Sequence, residues 1–304
     1  MAKRASFRDL RLAARFARNT APGVWKAYRH QKLREVSAAP FRPNPKHWSD
    51  TGLHAAWLGH STVLLKINGF TILTDPVLGE KCGVPVGPVT FGLKRLVEPA
   101  LLVKDLPHID LILLSHAHFD HFDQPTLRLL ARAHTSVVTA KFTSSLLRTR
   151  RYKSVQEIGW GEKVRVGPVT ISGLEVQHWG ARMRTDTYRG YNGYLIEGEG
   201  RRIVFGGDTA YTDAFRRIRS SKAVDLAILP IGAYDPWISV HCNPEQAWKM
   251  AEDCRAELLL PVHHKTFHLS REPYLEPIER CFGAAGSDTG RVVTQHIGQE
   301  WSRS

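Results

Sequence analysis

The stretch that decides the fold is Ser115-His116-Ala117-His118-Phe119-Asp120-His121-Phe122-Asp123, which directly follows the apolar run 111–114. Three imidazoles and one carboxylate fall within residues 116–121. A sharp turn after a strand can direct several short side chains inward, and imidazole and carboxylate ligands suit zinc, iron or manganese. A solvated histidine-rich loop is the alternative. The stretch therefore predicts a metal site at the end of a strand.

Further apolar runs also end in candidate ligands. The run 170–177 leads to His178, the run 202–205 leads through two glycines to Asp208, and the run 258–262 leads to His263 and His264. Each residue alone is more typical of a hydrogen-bonded loop position. Ligands delivered from the same ends of strands converge on one edge of a sheet, where a rigid scaffold holds them. Together with the first cluster, they predict a two-metal site.

Short apolar runs closed by polar clusters continue along the chain after residue 53. Strands come first in hairpin-like succession and then alternate with helices, in both halves of the chain, which predicts two sheets sandwiched by helices in one domain. Helices are expected at 124–134, with Asp123 as a cap, and at 244–256. Strands are expected at 55–58, 63–67, 71–74, 111–114, 137–139, 164–166, 170–174, 194–197, 203–205, 226–229 and 258–262.

The run HAHFDH at 116–121, followed at long range by His178, Asp208 and His263, resembles the metallo-β-lactamase superfamily. Within it, the chain is similar to the branch that contains the N-acyl-phosphatidylethanolamine-hydrolysing phospholipase D, and at a lower level to L-ascorbate-6-phosphate lactonase. The resemblance implies an α/β fold, a four-layer αββα sandwich with two metals between its sheets. The segments that carry it, among them 57–62, 177–179, 207–211 and 230–236, cover about residues 53–296.

The resemblance also implies the ligand assignment. The first metal would be bound by His116, His118 and His178, and the second by Asp120, His121 and His263, with Asp208 bridging both. Two Zn²⁺ ions are expected, although related sites accept iron or manganese. Two such cations lower the pKa of a shared water, so the nucleophile would be a metal-bridging hydroxide.

Other residues are expected to support the chemistry. Asp75, which ends the run 71–74, is the candidate to accept the second N–H of a metal-bound imidazole. Asp120 is expected to take part in catalysis, and His60 and His241 match positions that could orient a phosphate or assist a leaving group. Where the phospholipase relative has an HWGTF-like sequence, this chain has a second histidine, His264, directly after His263. The spacing to residues 266–267 favours the first of the two as the ligand.

The charge distribution separates an N-terminal segment from the rest. The chain has 42 Lys and Arg against 29 Asp and Glu, a net charge of +13, with a pI near 9.8. Residues 3–46 contain twelve of the basic residues and only two acids. We therefore expect a basic N-terminal arm at 1–50, with a short helix at 6–20, and a hydrolase domain at 51–304. The arm predicts peripheral contact with an anionic membrane through residues 1–46, and a solvated tail is the alternative.

The composition and the cysteine pattern indicate the compartment in which the protein is expected. No apolar stretch approaches the length of a membrane-spanning helix, and the N-terminus lacks the apolar region of a secretory signal. The four cysteines form no CxxC pair, so neither a disulfide framework nor a thiolate zinc site is indicated. These features predict a cytoplasmic protein, with peripheral binding at the inner face of the membrane as the alternative.

The residues and the resemblance together predict a dinuclear metal-dependent hydrolase that acts on a phosphodiester, either a small molecule or a lipid, in a phospholipase D-like reaction. A lactonase or other ester hydrolase is one alternative, and a nucleic-acid phosphodiesterase is another that the few stacking aromatics of the arm make less favoured. The non-enzymatic alternative is an inactive metal-binding domain.

Overall fold

A computed structural model of the chain describes residues 35–304. The predicted helix at 6–20 and most of the basic arm lie outside the described residues. Two large sheets and one separate two-stranded sheet make up the described part of the fold.

The first sheet has seven strands in the order β15-β1-β2-β3-β6-β7-β8. The pairs from β15 to β3 are antiparallel, and the pairs from β3 to β8 are parallel. Its strands are β1 (Leu53–Gly59), β2 (Thr62–Ile67), β3 (Phe70–Thr74), β6 (Leu111–Leu114), β7 (Ser136–Ala140), β8 (Ser154–Ile158) and β15 (Glu300–Arg303).

The second sheet has six strands in the order β14-β13-β12-β11-β10-β9. It is antiparallel from β9 to β12 and parallel from β12 to β14. Its strands are β9 (Lys163–Val166), β10 (Val169–Leu174), β11 (Gly193–Gly198), β12 (Arg201–Phe205), β13 (Leu226–Pro230) and β14 (Leu259–Val262), and the separate hairpin consists of β4 (Lys81–Val86) and β5 (Val89–Lys94).

Helices are few and short in residues 35–304. Asp123 caps the first by accepting a hydrogen bond from the Thr126 N–H, as predicted, and a capping box of Asn243 and Gln246 begins the second. The α-helices are α1 (Gln124–Leu130), α2 (Pro244–Asp253) and α3 (Glu276–Ala285), and 3₁₀ turns occur at Pro45–His47, Val103–Asp105, Ser144–Leu146, Thr149–Arg151, Asp213–Ile218 and Gly286–Arg291. None of the helices in this part of the chain has the length and apolar character needed to span a bilayer.

Alternating side chains of the second sheet build two separate cores. In β12, Ile203 and Phe205 face the first sheet, whereas Val204 packs in the cluster that contains the helical residues Ala247 and Ile278. This period of two is the expected geometry of a strand buried on both faces. The predicted α/β sandwich of two sheets flanked by helices is confirmed.

The predicted strands are all present, whereas β4, β5, β8, β15 and α3 were not predicted. The edge strands β8 and β15 carry half-buried or exposed polar residues, so they lack the apolar run by which the other strands were found. The two predicted helices end earlier than expected, at Leu130 and Asp253, because the backbone leaves helical geometry at the next residue.

The described part of the segment before β1 packs against the domain. The Ser37 N–H donates to the Leu96 carbonyl, the Phe41 N–H donates to the Ile297 carbonyl, and the buried Trp48 indole donates to Glu300. Residues 37–48 therefore lie along the surface of the sandwich.

Candidate metal centre

The candidate ligands follow strands that run in the same direction. Asp75 and His116 follow the parallel strands β3 and β6, and Asp208 and His263 follow the parallel strands β12 and β14. His178 follows β10, which is antiparallel to β11 and therefore runs parallel to β12. The carboxyl ends of these strands meet at one edge of the two sheets, where ligand sites form in such folds.

The first cluster contains His116, His118, His178 and Asp208, whose ligand atoms all lie within 4.8 Å of one another. The His118 Nδ1 atom is 2.8 Å from His116 Nε2 and 3.3 Å from His178 Nε2. Ligand nitrogens of one tetrahedral zinc are separated by about 3.3 Å, given zinc–nitrogen bonds of about 2.0–2.1 Å. The three imidazoles are therefore spaced to share one ion.

The second cluster contains His60, Asp120, His121 and His263. The Asp120 Oδ2 atom is 3.6 Å from the Nε2 atoms of both His121 and His263. The structure thus brings together the three residues predicted for the second metal and adds His60 beside them.

Asp208 lies between the two clusters. Its Oδ2 atom is 3.1 Å from the Nε2 atoms of His121 and His263, and 3.8 and 4.0 Å from those of His178 and His116. Gly207, the residue before Asp208, has no side chain, and this allows Asp208 to come so close to the histidines. A Cβ atom on Gly207 would lie only 2.7 Å from the Cβ atom of Ser115. Asp208 therefore occupies the position that its predicted bridging role requires.

Hydrogen bonds fix the tautomers of the histidines. The His121 Nδ1–H donates to Asp75 at 2.7 Å, and the His178 Nδ1–H donates to the Val240 carbonyl at 2.8 Å. The Ser115 hydroxyl donates to Asp75 and accepts from the His116 Nδ1–H at 2.8 Å. In the neutral imidazole, each of these bonds places the proton on Nδ1 and directs Nε2 at the centre as a metal ligand, which is how proteins orient imidazoles for a metal.

The donor atoms fit divalent metal ions. Within residues 35–304, the buried His121 Nε2, His263 Nε2 and Asp208 Oδ1 atoms have no hydrogen-bond partner. Unpartnered buried polar atoms are unfavourable by about 1–3 kcal/mol each, so such a cluster indicates a ligand. The mixture of imidazole and carboxylate donors is suited to zinc, iron or manganese.

The electrostatics of the centre also favour a cation. Burial opposes the ionisation of Asp120 and Asp208, yet neighbouring imidazoles hold the pKa of both carboxyls well below its ordinary value. Burial likewise opposes protonation of His263, but Asp208 and Asp120 raise its pKa to about 9. The carboxylates therefore stabilise positive charge at the position where a metal would be held.

The structure separates His263 from His264. His263 adopts a left-handed backbone conformation with φ of 63°, and its imidazole enters the centre. The His264 ring points away and stacks on Trp57, with ring centroids 4.5 Å apart. Only the first of these two histidines can reach a metal at this site.

The two histidines predicted to assist catalysis occupy different positions. His60 is 1% exposed and lies behind Asp120, to which its Nε2–H donates at 3.0 Å, so it contacts the carboxylate rather than the substrate space. Burial lowers the pKa of His60 to about 3, which keeps its imidazole neutral. His241 lines the cavity over the centre, and its Nδ1 atom is 3.8 Å from Asp208.

Arg182 was not predicted, although it holds the ligand loop. Its Nη1 group donates to the carbonyls of Ala117 and Phe122, at 2.9 and 2.8 Å, and its guanidinium lies 3.9 Å from the centre of the Phe119 ring. These contacts close the loop that carries four candidate ligands. No local pattern indicated them, because they join residues about sixty positions apart.

A cavity of about 500 Å³ opens over both clusters. His118, Asp120, Asp208, His241 and His263 form its floor. Most of its wall is apolar, and the wall also carries two arginines and His268. The wall includes Val84, Phe91, Leu93, Phe119, Trp179, Arg182, Met183, Arg184, Trp237 and Leu269. The hairpin β4–β5, which contributes to this wall, was also missed, although its alternation of apolar residues around Gly87 and Pro88 is a signal of a hairpin.

Comparisons with known proteins identify the family and the fold of the chain. A family model described as "Beta-lactamase superfamily domain" matches residues 71–264. The chain is 32% identical to an uncharacterized protein of Mycobacterium tuberculosis over 288 residues, which are 91% of this chain and 76% of that protein. It is 33% identical to the N-acyl-phosphatidylethanolamine-hydrolyzing phospholipase D 1 of Caenorhabditis elegans over 280 residues, which are 84% of this chain and 77% of that enzyme. The solved structure of a metallo hydrolase from Ignicoccus hospitalis has the same fold, with a TM-score of 0.62, 20% identity, and coverage of 84% of this chain and 99% of its own.

Proposed function

The chain belongs to the β-lactamase superfamily of metal-dependent hydrolases, and we propose that it is a dinuclear zinc enzyme that hydrolyses a phosphodiester bond of a lipid, in a phospholipase D-like reaction. The observation that carries this proposal is the joining of two ligand clusters, through Asp208, at the floor of a largely apolar cavity. The name of the Caenorhabditis elegans relative supports the same class of substrate.

The metals would be held by His116, His118 and His178 at one position and by Asp120, His121 and His263 at the other, with Asp208 shared. When bound, two such ions supply Lewis acidity toward a phosphoryl oxygen and a water nucleophile at neutral pH.

His241 is the residue of this chain best placed to contact the reacting group. It lines the cavity beside Asp208, and burial lowers its pKa well below the ordinary value for histidine. A neutral imidazole can donate one hydrogen bond and accept another, so His241 can orient a phosphate oxygen or donate to the leaving group. His60 instead positions Asp120.

The cavity wall suits the two parts of a lipid. A phosphodiester carries one negative charge, which the exposed Arg184 at the wall attracts without the rigid fixation that Arg182 has. Trp179 and Trp237 suit the apolar part of the lipid, because their rings offer apolar surface to an acyl chain. A cavity of this size lies within the usual range of about 300–1,000 Å³ for small-molecule sites.

The proposal is tested with zinc-loaded protein on a panel of an N-acyl-phosphatidylethanolamine, phosphatidylcholine, a nucleotide phosphodiester and a simple lactone. We expect hydrolysis of a phospholipid to phosphatidic acid, with label from ¹⁸O-water in the phosphate. His118→Ala is the inactive control, and elemental analysis should find two zinc ions per chain in the wild type. Turnover of the lactone or the nucleotide alone would assign the enzyme to one of the alternative classes.

A further inference from the structure

The hairpin β4–β5 presents an apolar strip on one face. In its antiparallel register, Cys82 faces Leu93, Val84 faces Phe91, and Val86 faces Val89. Directly paired residues project to the same side of a hairpin, as do residues two positions apart, so these side chains form one continuous surface. Within residues 35–304, the hairpin belongs to neither of the two large sheets.

This strip runs from the cavity to solvent. Its inner pairs line the cavity over the metal centre, and Cys82 is buried there. Its outer residues are exposed, with accessible fractions of 57% for Val86 and 49% for Val89 at the tip. The four exposed apolar side chains of the hairpin are Val84, Val86, Val89 and Phe91. Such a group of neighbouring exposed apolar side chains is unfavourable in water and typical of an interaction surface.

We propose that the tip of this hairpin docks the enzyme on an anionic phospholipid bilayer, so that the strip gives a lipid an apolar path into the cavity. The inference rests on the proposed lipid substrate and adds the surface from which that substrate comes. A ligand that enters along the strip leaves its apolar surroundings only at the metal centre.

The charge of the protein complements such a surface. The exposed Arg184 lines the same cavity, and Met183 beside it adds an apolar side chain that is 54% exposed. The full chain has a net charge of +13. Each basic residue near an anionic bilayer contributes to attraction, and apolar side chains then enter the headgroup region.

The area of the strip argues against a second copy of the chain as its occupant. Four half-exposed side chains offer on the order of 300 Å² of apolar surface, whereas a stable dimer buries about 800 Å² per partner. A bilayer requires no such minimum, because electrostatic attraction and insertion of a few side chains act together.

The test compares the double variant Val86→Asp/Val89→Asp with Leu129→Asp/Leu275→Asp. The second pair consists of equally exposed aliphatic residues that lie outside the hairpin and the cavity, and it adds the same charge. Sedimentation with vesicles of phosphatidylethanolamine and phosphatidylglycerol should show roughly tenfold weaker binding for the hairpin variant, as expected when two half-exposed valines no longer leave water. The control should bind within a factor of two or so of the wild type.

A second measurement reports insertion directly. The native cysteines Cys82, Cys242, Cys254 and Cys281 are buried, so an environment-sensitive dye should label Val86→Cys selectively. Vesicles should shift its emission to the blue, and lipids with brominated chains should quench it.

The outcomes separate the two proposals. Unchanged vesicle binding by the hairpin variant, or equal losses in both double variants, would overturn the docking proposal, as would a hairpin-dependent dimer in place of vesicle binding. If docking requires the hairpin but no phospholipid is hydrolysed, the docking proposal stands and the proposed substrate is wrong. If both are right, the hairpin variant loses activity on vesicles and retains it on a short-chain soluble phospholipid.

Discussion

Replacing Asp75 with asparagine changes one atom at the point where the ligand loop is oriented. The fully buried carboxylate accepts three hydrogen bonds: Oδ1 from the Ser115 N–H at 2.7 Å, and Oδ2 from the Ser115 hydroxyl and the His121 Nδ1–H. In Asp75→Asn, one oxygen becomes an NH₂ group. Whichever way the amide is turned, its NH₂ group then faces at least one of the N–H or O–H groups that donate to the carboxylate in the wild type.

The expected relief of this conflict is a change of tautomer. If His121 accepts from the new NH₂ group at Nδ1, its proton moves to Nε2, the atom that lies 3.1 Å from Asp208 in the centre. A protonated Nε2 atom cannot bind a metal. Loss of such an orienting partner typically weakens metal binding 10- to 100-fold, or about 1.4–2.8 kcal/mol. Binding of the second ion should weaken more than binding of the first, because His121 is the one candidate ligand that is hydrogen-bonded directly to Asp75.

The assay is a competition titration of metal-free protein with zinc against a chromophoric chelator, which resolves the two binding steps. Asp123→Asn is the matched control: Asp123 is a buried carboxylate nearby that caps α1 and makes no hydrogen bond to a candidate ligand, and asparagine caps helices equally well. We expect the control to bind two ions as the wild type does. Wild-type affinity for both ions in Asp75→Asn would refute the orienting role.

Four further outcomes are expected. His263→Ala should lose one zinc ion while His264→Ala retains both, by elemental analysis after gel filtration; the opposite pattern would exchange their roles. Arg182→Ala should weaken zinc binding about tenfold, with partial recovery in Arg182→Lys, because the guanidinium closes the ligand loop. Unchanged zinc affinity in the same titration would mean that Arg182 only stacks on the Phe119 ring. In chelated protein, burial opposes protonation of His263, but Asp208 and Asp120 together raise its pKa to about 9. The stabilising contribution of the protonated ring is therefore complete below the unfolded value of about 6.5 and is lost as the pH rises through 9. The Tm of chelated protein should therefore fall across that range, whereas an equal fall with zinc bound would contradict this origin. Removal of residues 1–34 should preserve turnover of a small soluble diester and weaken binding to anionic vesicles, whereas equal vesicle binding would make the segment a solvated tail.

Most of the strands that could be predicted from the sequence are buried on both faces, and the exposed edge strand β9 is the exception. The run Leu111–Leu114 and the alternation of Leu226–Pro230 between two cores leave little choice of residue type, because every position must avoid water. The edge strand Glu300–Arg303 has exposed polar positions, so its place beside β1 depends on pairing with residues that are distant in sequence. The hairpin β4–β5 differs, because its alternation of apolar residues around Gly87 and Pro88 was a readable signal that the prediction did not use.

The ligands were predictable because a metal requires particular atoms at the ends of particular strands. The contacts that orient those atoms were harder to predict from the sequence. Asp75 was predicted to orient a ligand, but its link through Ser115 to His116 depends on the approach of β3 to β6. Arg182 reaches the loop from another part of the fold. Such contacts are set by tertiary packing, so residue spacing alone does not reveal them.

The backbone at the centre shows why this packing is needed. His60, Asp75 and His263 adopt left-handed conformations, with φ of 53°, 31° and 63°, which are unfavourable for residues with a Cβ atom. All three are almost completely buried and lie next to strands of the two sheets. With this backbone conformation, His263 enters the centre and His264 stacks on Trp57. Because the surrounding core must outweigh this strain, the sandwich determines the direction of the ligands, and the ligand residues themselves determine only the chemistry.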